Sequence, residues 1–352
     1  MHRRRWMGAG LAGGIGLAVR GALPPLTLAI AGCGESPAGA VFGGAMMGTG
    51  YQVKLAAALG GSERAGVEAL VHAALAEVDA AMSNYRPGSE LSRLNAGDGG
   101  QWLPVSPATR EVLRQALLVW ERSAGAFDVS VAPLVDLWGF GARGARTQVP
   151  ALGDIEHARG QLGLAGLELA ADGMAVRKAH AHTRLDLGGI AKGYALDEVA
   201  RRLDAQGFDD YLVEVGGELR ARGARADGAP WRIAIEQPLS TQRSVQRVVE
   251  PGARAIATSG DYRNFFEHGG QRFSHTIDPR TGWPVRHDLA AVSVIADDAM
   301  SADALATAIL VMGAEAGLEF AARNAVAAHL MVRSAEGLRE LISPAMRPHL
   351  VA

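Results

Sequence analysis

A glycine-rich segment near the middle of the chain has the residue types needed to bind an anion. Residues 184–194 (RLDLGGIAKGY) are expected to run from a short strand through a glycine turn into a helix. Free backbone N–H groups at a helix start attract phosphate, glycines permit close approach, and Lys192 adds a positive charge. The spacing is not that of a Walker A loop, which has four residues between its first glycine and Gly-Lys, followed by Ser or Thr. Considered alone, the segment also fits a glycine turn with a surface lysine.

Asp303 and Thr307 form a second pair with chemical potential. They lie four residues apart at the start of a predicted helix, so their side chains share one face. A carboxylate and a hydroxyl, together with phosphate oxygens from a substrate, make the partial oxygen shell that Mg²⁺ takes. The alternative is capping, in which Ser301 or Asp303 satisfies backbone donors and Thr307 bonds back along the helix.

A histidine lies in a tight loop at residues 274–282 (SHTIDPRTG). Histidine transfers protons near neutral pH, so His275 could accept a proton from a hydroxyl. A single loop histidine also has a structural interpretation. Residues 82–85 (MSNY) could likewise be a helix exit with an exposed tyrosine, and residues 138–140 (WGF) could be core packing.

Helices and strands are predicted to alternate irregularly around these loops. Apolar residues recur at three- and four-residue spacing over residues 67–78 and 112–120, which indicates two amphipathic helices. Further helices are predicted over residues 190–203 and 302–312, and strands over residues 211–215, 231–235, 290–295 and 327–332. Without strict βαβ repetition, the expected fold class is α+β, with mixed or antiparallel sheets and packed helices. We expect a single domain over residues 45–345, of one or two lobes.

The composition is that of a globular protein with a sizeable core. The chain has 352 residues, of which 48% are hydrophobic and 20% charged. Its formal net charge of -2 provides no basic field for a nucleic acid backbone, so nucleic acid is not expected as a partner. The single cysteine cannot form an intrachain disulfide, so the core must stabilise the fold without one.

The N-terminus has the organisation of an export signal. Three arginines at residues 3–5 precede an apolar, Gly-rich stretch that ends at residues 30–33 (IAGC). Arg20, Pro24 and Pro25 interrupt this stretch, which argues against the alternative of a transmembrane anchor. The basic start fits a general or a twin-arginine export signal, and both routes stay open.

The end of this stretch resembles a bacterial lipoprotein signal. The resemblance implies a signal peptide at residues 1–32 and a diacylated Cys33 as the mature N-terminus, because more than one acyl chain is needed for stable anchoring. Residues 33–44, rich in Gly, Ala, Ser and Pro, are then expected to form a flexible tether. The expected location is outside the cytoplasm, lipid-anchored to a bacterial membrane with the domain facing the periplasm.

The order of motifs along nearly the whole mature chain closely resembles the ApbE family of FMN transferases. The matching blocks are residues 47–51 (MGTGY), 82–85 (MSNY) with Ser89, Glu90 and Asn95, 127–128 (FD) with 133–134 (PL) and 138–140 (WGF), 186–194 (DLGGIAKGY), 215–218 (VGGE), 258–263 (TSGDYR), 274–282 and 300–307 (MSADALAT). The resemblance implies Mg²⁺-dependent cleavage of FAD. It further implies transfer of FMN through a phosphoester bond to a Thr or Ser of an acceptor flavoprotein, with release of AMP. The implied acceptor is an exported or membrane redox protein.

The resemblance also implies roles for individual residues. Contacts with FAD are expected from Met47, Tyr85, Ala126, Phe127, Asp128, Asp186, Lys192 and Ile277. Metal ligands are expected at Asp303, at Thr307 and at the backbone carbonyl of Gly189, and Asp303 would thereby be catalytic. We predict that His275 takes the proton of the acceptor hydroxyl, with Asp261 and Asp278 as alternates.

Three positions depart from many relatives. Ser130 and Ala132 replace Thr and Gly, and Ala306 stands where some relatives have a second acidic residue beside the metal, which bears on metal affinity. Two other functions stay open: an FAD pyrophosphatase that uses water as the acceptor, and a non-catalytic flavin-binding lipoprotein. The intact oxygen pair, Asp303 and Thr307, argues against the second.

Overall fold

The computed structural model describes residues 39–142, 144, 148–238, 244–262 and 264–351. The helices in these ranges are α1 (Gly61–Met82), α2 (Glu90–Ala96), α3 (Pro107–Arg122), α4 (Ala132–Leu137), α5 (Leu152–Arg159), α6 (Ala191–Ala205), α7 (Ala299–Met312) and α8 (Ala314–Arg323). The strands are β1 (Ala40–Met46), β2 (Thr49–Leu55), β3 (Trp102–Pro104), β4 (Leu167–Leu169), β5 (Ala175–Lys178), β6 (Tyr211–Val215), β7 (Glu218–Arg222), β8 (Ile233–Glu236), β9 (Val245–Val249), β10 (Ala255–Gly260), β11 (Phe265–His268), β12 (Gln271–Ser274), β13 (Ile277–Asp278), β14 (Trp283–Pro284), β15 (Leu289–Ala296), β16 (Ala327–Ser334) and β17 (Gly337–Ile342). Within the same ranges, none of the helices has the length and apolar character needed to cross a bilayer.

An eight-stranded antiparallel sheet organises these elements. Its strand order is β1-β2-β6-β7-β10-β15-β16-β17, and every neighbouring pair in it is antiparallel. The smaller sheets pair β3, β5 and β4, and join β8 to β9, β11 to β12 and β13 to β14. The predicted α+β class with antiparallel sheets is therefore confirmed. The fold is not a Rossmann fold, because a Rossmann fold has a mostly parallel sheet.

The two faces of the large sheet bury different cores. Successive strand residues point to opposite faces, so Ala255 and Ala257 pack into the core formed with α1, α3, α6 and α7. Ile256, between them, packs into a second core beneath Trp231 and the β8–β9 hairpin. A third, smaller core joins α4 and α5 to the region around Phe273. The helical face is the one that carries the anion-binding segment.

Apart from the short strand predicted before the glycine turn, the predicted helices and strands are present with small shifts at their ends. The predicted tether is too long. Residues 40–44 belong to β1, which pairs with β2 along its whole length. The composition was misleading because Gly43 and Gly44 lie in a strand that still buries Ala40 and Phe42 on alternate positions. The predicted signal peptide, Cys33 and the rest of the tether up to residue 38 lie outside the described residues.

Candidate functional site

The anion-binding segment is an extended chain rather than a strand before it enters α6. Arg184 makes a single parallel bridge to Val131. Asn95 then substitutes for a neighbouring strand, since its amide donates to the Leu185 carbonyl at 2.8 Å and accepts from the Leu185 N–H at 2.7 Å. The predicted strand is therefore absent, but the Asn95 side chain holds this stretch extended up to the glycine turn.

Two N–H groups of this segment are bound by carboxylates of the protein itself. Gly188 N–H donates to Asp186 Oδ1 at 2.8 Å, and Gly193 N–H donates to Asp303 Oδ2 at 3.2 Å. Burial raises the pKa of Asp186, and the hydrogen bond from Gly188 opposes this. The start of α6 has no side-chain cap. Two of the N–H groups that were expected to bind an anion are therefore already hydrogen-bonded. The positive charge at the start of α6 comes mainly from Lys192.

Lys192 lies among three oxygens. Its Nζ donates to the Gly188 carbonyl at 3.0 Å and lies 3.2 Å from Glu218 Oε1 and 3.5 Å from Asp303 Oδ2. Burial acts to lower the pKa of Lys192, but the carboxylates of Asp303 and Glu218 outweigh it and hold the pKa above its ordinary value. Lys192 is thus a permanent cation at neutral pH, and it joins α6 to α7 and to β7.

Asp303 does not cap its own helix. The helix α7 begins at Ala299, and its N-cap is Asp298, which accepts from the Ser301 N–H at 2.7 Å. The capping alternative is therefore wrong for Asp303 and for Ser301, because the helix starts earlier than predicted. The Asp303 side chain is only 4% exposed and faces Lys192.

The three residues predicted to hold a metal converge on the cavity. Thr307 Oγ1 lies 3.0 Å from Ser259 Oγ, and a side chain at Gly189 would meet Thr307 Oγ1 at 3.2 Å and Phe127 at 3.3 Å. A side chain there would press on both neighbours, so glycine favours the close approach of the turn to α7. Gly189, Asp303 and Thr307 all line the same cavity.

Glu218 is a site residue that sequence reasoning missed. Its side chain is only 4% exposed, and its Oε2 has no hydrogen-bond partner within the described residues. Burial raises the pKa of the Glu218 carboxyl to about 8, while Lys192 opposes this effect. The available signal was its place at the end of the VGGE block, but nothing local showed that β7 would bring it to Lys192.

The cavity has a volume of about 440 Å³, and apolar side chains line it together with the charged groups around Lys192. Residues 126–128, Tyr85 and Ile277 line it, with Tyr85 at the rim, where its side chain is 70% exposed and its hydroxyl lies 3.4 Å from the Phe140 carbonyl. Asp128 accepts from the Ser130 hydroxyl at 2.6 Å, and burial raises the pKa of Asp128. This mixture of apolar, aromatic and charged lining suits a ligand that has both an apolar and an anionic part.

His275 lines the cavity. Its Nδ1 lies 3.1 Å from the carbonyl oxygen of Asn264. A carbonyl oxygen can only accept, so Nδ1 carries the proton and Nε2 keeps a lone pair. Burial lowers the pKa of His275, and Lys192 acts in the same direction. The ring is therefore neutral at pH 7 and able to accept a proton.

The two alternate bases are engaged elsewhere. Both carboxylate oxygens of Asp261 are paired with the guanidinium of Arg333. Asp278 is paired with Arg280 through contacts of 2.9 and 3.0 Å. Neither of them lines the cavity, so the geometry favours His275.

Among the residues expected to contact FAD, Met47 is the one that does not line the cavity. It lies in the turn between β1 and β2 with φ of 54° and packs, half-buried, against the main core. The next strand residue, Thr49, approaches Gly216, which does line the cavity. The remaining described positions line it: Tyr85, Ala126, Phe127, Asp128, Asp186, Gly189, Lys192, His275, Ile277, Asp303 and Thr307.

Comparisons with known proteins agree on one family. The ApbE family model matches residues 47–330. A Vibrio cholerae protein named FAD:protein FMN transferase is 41% identical over 324 residues, which cover 92% of this chain and 96% of that protein. An Escherichia coli protein of the same name is 33% identical over 343 residues, covering 95% and 97%.

Solved structures show the same similarity. The flavin transferase ApbE from Vibrio cholerae superposes with a TM-score of 0.82 at 40% identity and covers 88% of this chain and 99% of that one. The apo form of the flavinyl transferase ApbE from Pseudomonas stutzeri has a TM-score of 0.81 at 40% identity, covering 90% and 98%.

Proposed function

Since this chain belongs to the ApbE family, we propose that it transfers FMN from FAD to a Ser or Thr hydroxyl of an acceptor flavoprotein and releases AMP. The relatives establish the general class of the enzyme, a flavin transferase. The observation that carries the finer proposal is the convergence of Lys192, Asp303, Thr307 and His275 on one cavity. The apolar and aromatic side chains that line the cavity, among them Tyr85, Phe127 and Ile277, suit a flavin ring.

The residues around Lys192 fit a hard divalent cation such as Mg²⁺. The Asp303 carboxylate, the Thr307 hydroxyl and the Gly189 carbonyl are all oxygen donors, and Glu218 Oε2 is a buried oxygen without a partner in the described chain. Across the described ranges, no three His, Cys, Asp or Glu side chains form a metal-binding group. Mg²⁺ commonly takes only one or two protein carboxylates and completes its shell with substrate phosphates and water, so the two findings are compatible. When bound, Mg²⁺ would neutralise charge on the pyrophosphate oxygens.

The protein's own residues would position the pyrophosphate and manage one proton. Lys192 stabilises the negative charge that grows on the phosphate oxygens during cleavage. His275 accepts the proton of the acceptor hydroxyl as its oxygen bonds to the FMN phosphorus. The bond from that phosphorus to the bridging oxygen breaks, and the electron pair leaves with AMP. Tyr85, Phe127 and Ile277 hold the flavin end so that the phosphorus stays in line with the incoming oxygen.

The site has room for a competing outcome in which water replaces the acceptor hydroxyl. The products would then be free FMN and AMP, as in an FAD pyrophosphatase. A non-catalytic flavin-binding role would not explain why Lys192, Asp303 and Glu218 are clustered in the cavity. The assay below separates the three functions.

Intact mass spectrometry of an acceptor fragment tests the proposed function. The chain is incubated with FAD, Mg²⁺ and an exported redox-protein segment that contains Ser or Thr. A mass gain equal to esterified FMN, matched by AMP and prevented by EDTA, is the expected result. AMP without a modified acceptor would indicate hydrolysis. Bound, uncleaved FAD would contradict an enzymatic function.

We also propose that the domain is exported and held at a membrane by lipid on Cys33. The support is the N-terminal pattern of basic residues, an apolar stretch and residues 30–33 (IAGC). Such an anchor would place the cavity next to acceptors that are themselves bound to the membrane.

A further inference from the structure

Glu218 is a buried carboxylate with one oxygen unaccounted for. It is the first residue of β7, and its Oε1 lies 3.2 Å from Lys192 Nζ. Its Oε2 is fully buried and lacks a hydrogen-bond partner within the described residues, although the residue lines the cavity. Buried polar atoms are almost always paired, because an unpaired one costs the desolvation free energy of that group. The oxygen therefore indicates a ligand that approaches from the cavity.

The charges on this wall of the cavity indicate the sign of that ligand. Two buried carboxylates, Glu218 and Asp303, share the single positive charge of Lys192. When both are ionised, the group carries an excess negative charge, which is costly at a buried position unless a cation balances it. The pyrophosphate of the proposed substrate is itself anionic, so its entry increases the excess instead of removing it. A divalent cation balances both.

We propose that Glu218 is an oxygen ligand of the divalent cation, facing it through Oε2 while Oε1 holds Lys192. This inference rests on the proposed function, which supplies the cation. Metal binding by Glu218 would explain the surroundings of both of its oxygens. A residue that only positioned Lys192 would need Oε1 alone, and a protonated Glu218 would still require an acceptor for its hydroxyl. The site would then draw carboxylates from β7 and α7, both of which lie close to Lys192 Nζ.

Direct Mn²⁺ binding, followed by electron paramagnetic resonance, tests the proposal without reference to turnover. The full-length chain is titrated with Mn²⁺ in the presence and absence of FAD, and FAD binding in EDTA is measured separately by flavin fluorescence. We expect Glu218→Gln to raise the Mn²⁺ dissociation constant by at least about 100-fold, above the range of about 10- to 100-fold that is typical of losing a group that only orients a metal ligand. FAD affinity in EDTA should be unchanged.

Glu214→Gln is the matched control on the same hairpin. Glu214 accepts from the Gly217 N–H through Oε1, which an amide oxygen can also do, and it does not line the cavity. This variant should bind Mn²⁺ as the unaltered chain does. If Glu218→Gln keeps its Mn²⁺ affinity, the proposal is wrong, whether or not FAD affinity falls. A fall confined to FAD affinity would assign Glu218 to positioning Lys192.

The same titration separates this inference from the proposed function. Asp303→Asn should lose Mn²⁺ in either case. An unaltered chain that binds no Mn²⁺ with or without FAD would overturn both proposals, whereas unchanged binding by Glu218→Gln alone overturns only the new one. If Glu218→Gln does not fold, Mn²⁺ anomalous scattering from crystals of the unaltered chain decides. A peak within about 2.5 Å of Glu218 Oε2 supports the proposal, and a more distant one overturns it.

Discussion

Asp303 illustrates how a single side chain acquires meaning from its surroundings. In sequence it is one acidic residue near a helix start, where capping is a common role. In the structure Asp298 takes that role, and Asp303 instead accepts from the Gly193 N–H and faces Lys192. Its carboxylate is therefore available for chemistry because another residue satisfies the helix.

Replacing Asp303 with Asn should abolish FMN transfer. The expected loss is on the order of 10³-fold, since charge stabilisation by a metal contributes several kcal/mol and each 1.4 kcal/mol corresponds to about a tenfold rate. Transfer to the acceptor is measured by intact mass in excess FAD and Mg²⁺. Asp298→Asn, at the cap of the same helix, should retain transfer because Asn is also a good cap. Undiminished transfer by Asp303→Asn would contradict the metal assignment.

Replacing His275 with Gln should lower transfer by about 10²- to 10⁴-fold, the usual contribution of a positioned base. The neutral ring is the active form, and burial lowers its pKa. Transfer should consequently stay constant as the pH falls to the ordinary histidine pKa of about 6.5 and decline only below it. A profile of kcat/KM at saturating Mg²⁺ measures this. Full activity in His275→Gln, or a decline already above pH 7 that the variant shares, would exclude His275 as the base.

At the scale of elements, the site depends on how closely α6 approaches α7. Asp197 of α6 accepts from the Ala299 and Met300 N–H groups at the start of α7, both at 2.9 Å. A side chain at Gly193 would overlap the Ala299 carbonyl oxygen and lie 2.7 Å from Met300 Cα. This tight junction is what brings Lys192, near the start of α6, to Asp303 on α7.

Two glycine substitutions test the junction. Gly193→Ala should lower the free energy of unfolding by about 1 to 3 kcal/mol, because backbone atoms must move to admit the methyl group. Gly66→Ala, in the exposed first half of α1 with no heavy atom near the new methyl, should raise it by about 0.5 to 1 kcal/mol. Urea unfolding followed by circular dichroism measures both. Equal effects of the two substitutions would mean that the helices are not in close contact.

The whole molecule is a sheet with a separate core on each face, stabilised without intrachain disulfides. Leu219 and Ile256 face the core beneath the β8–β9 hairpin, while Val213 and Ala257 face the helices. The cavity lies where strand ends, helix starts and loops meet, so its walls come from widely separated parts of the chain.

The proposed lipid anchor is tested by Cys33→Ser in the full-length chain. A serine cannot carry the thioether-linked lipid, so the variant should move from the membrane to the soluble extracytoplasmic fraction while flavin transfer in vitro is retained. Fractionation followed by immunoblotting measures the change. Unchanged membrane retention would instead indicate an uncleaved N-terminal helix or peripheral binding.

The sequence by itself determined the local features of this protein. Periodicity predicted α1, α3, α6 and α7, and motif order identified the family, because both are recorded in neighbouring residues. Donor chemistry was equally readable, since Lys, Asp and Thr keep their properties in any fold. The predicted end of the tether was wrong because a glycine-rich composition does not show whether a segment pairs with a neighbouring strand.

Only the tertiary structure decided which of these groups meet. Asp303 and Gly193 are hydrogen-bonded across 110 residues of chain, and Glu218 reaches Lys192 from a different strand. Met47 belongs to a matching motif, yet it packs against the core and not in the cavity. Such contacts depend on the order of strands in the sheet and the distance between packed helices, which no local pattern specifies. The physical reason is that burial and long-range packing, rather than residue type, set the electrostatic environment of each side chain.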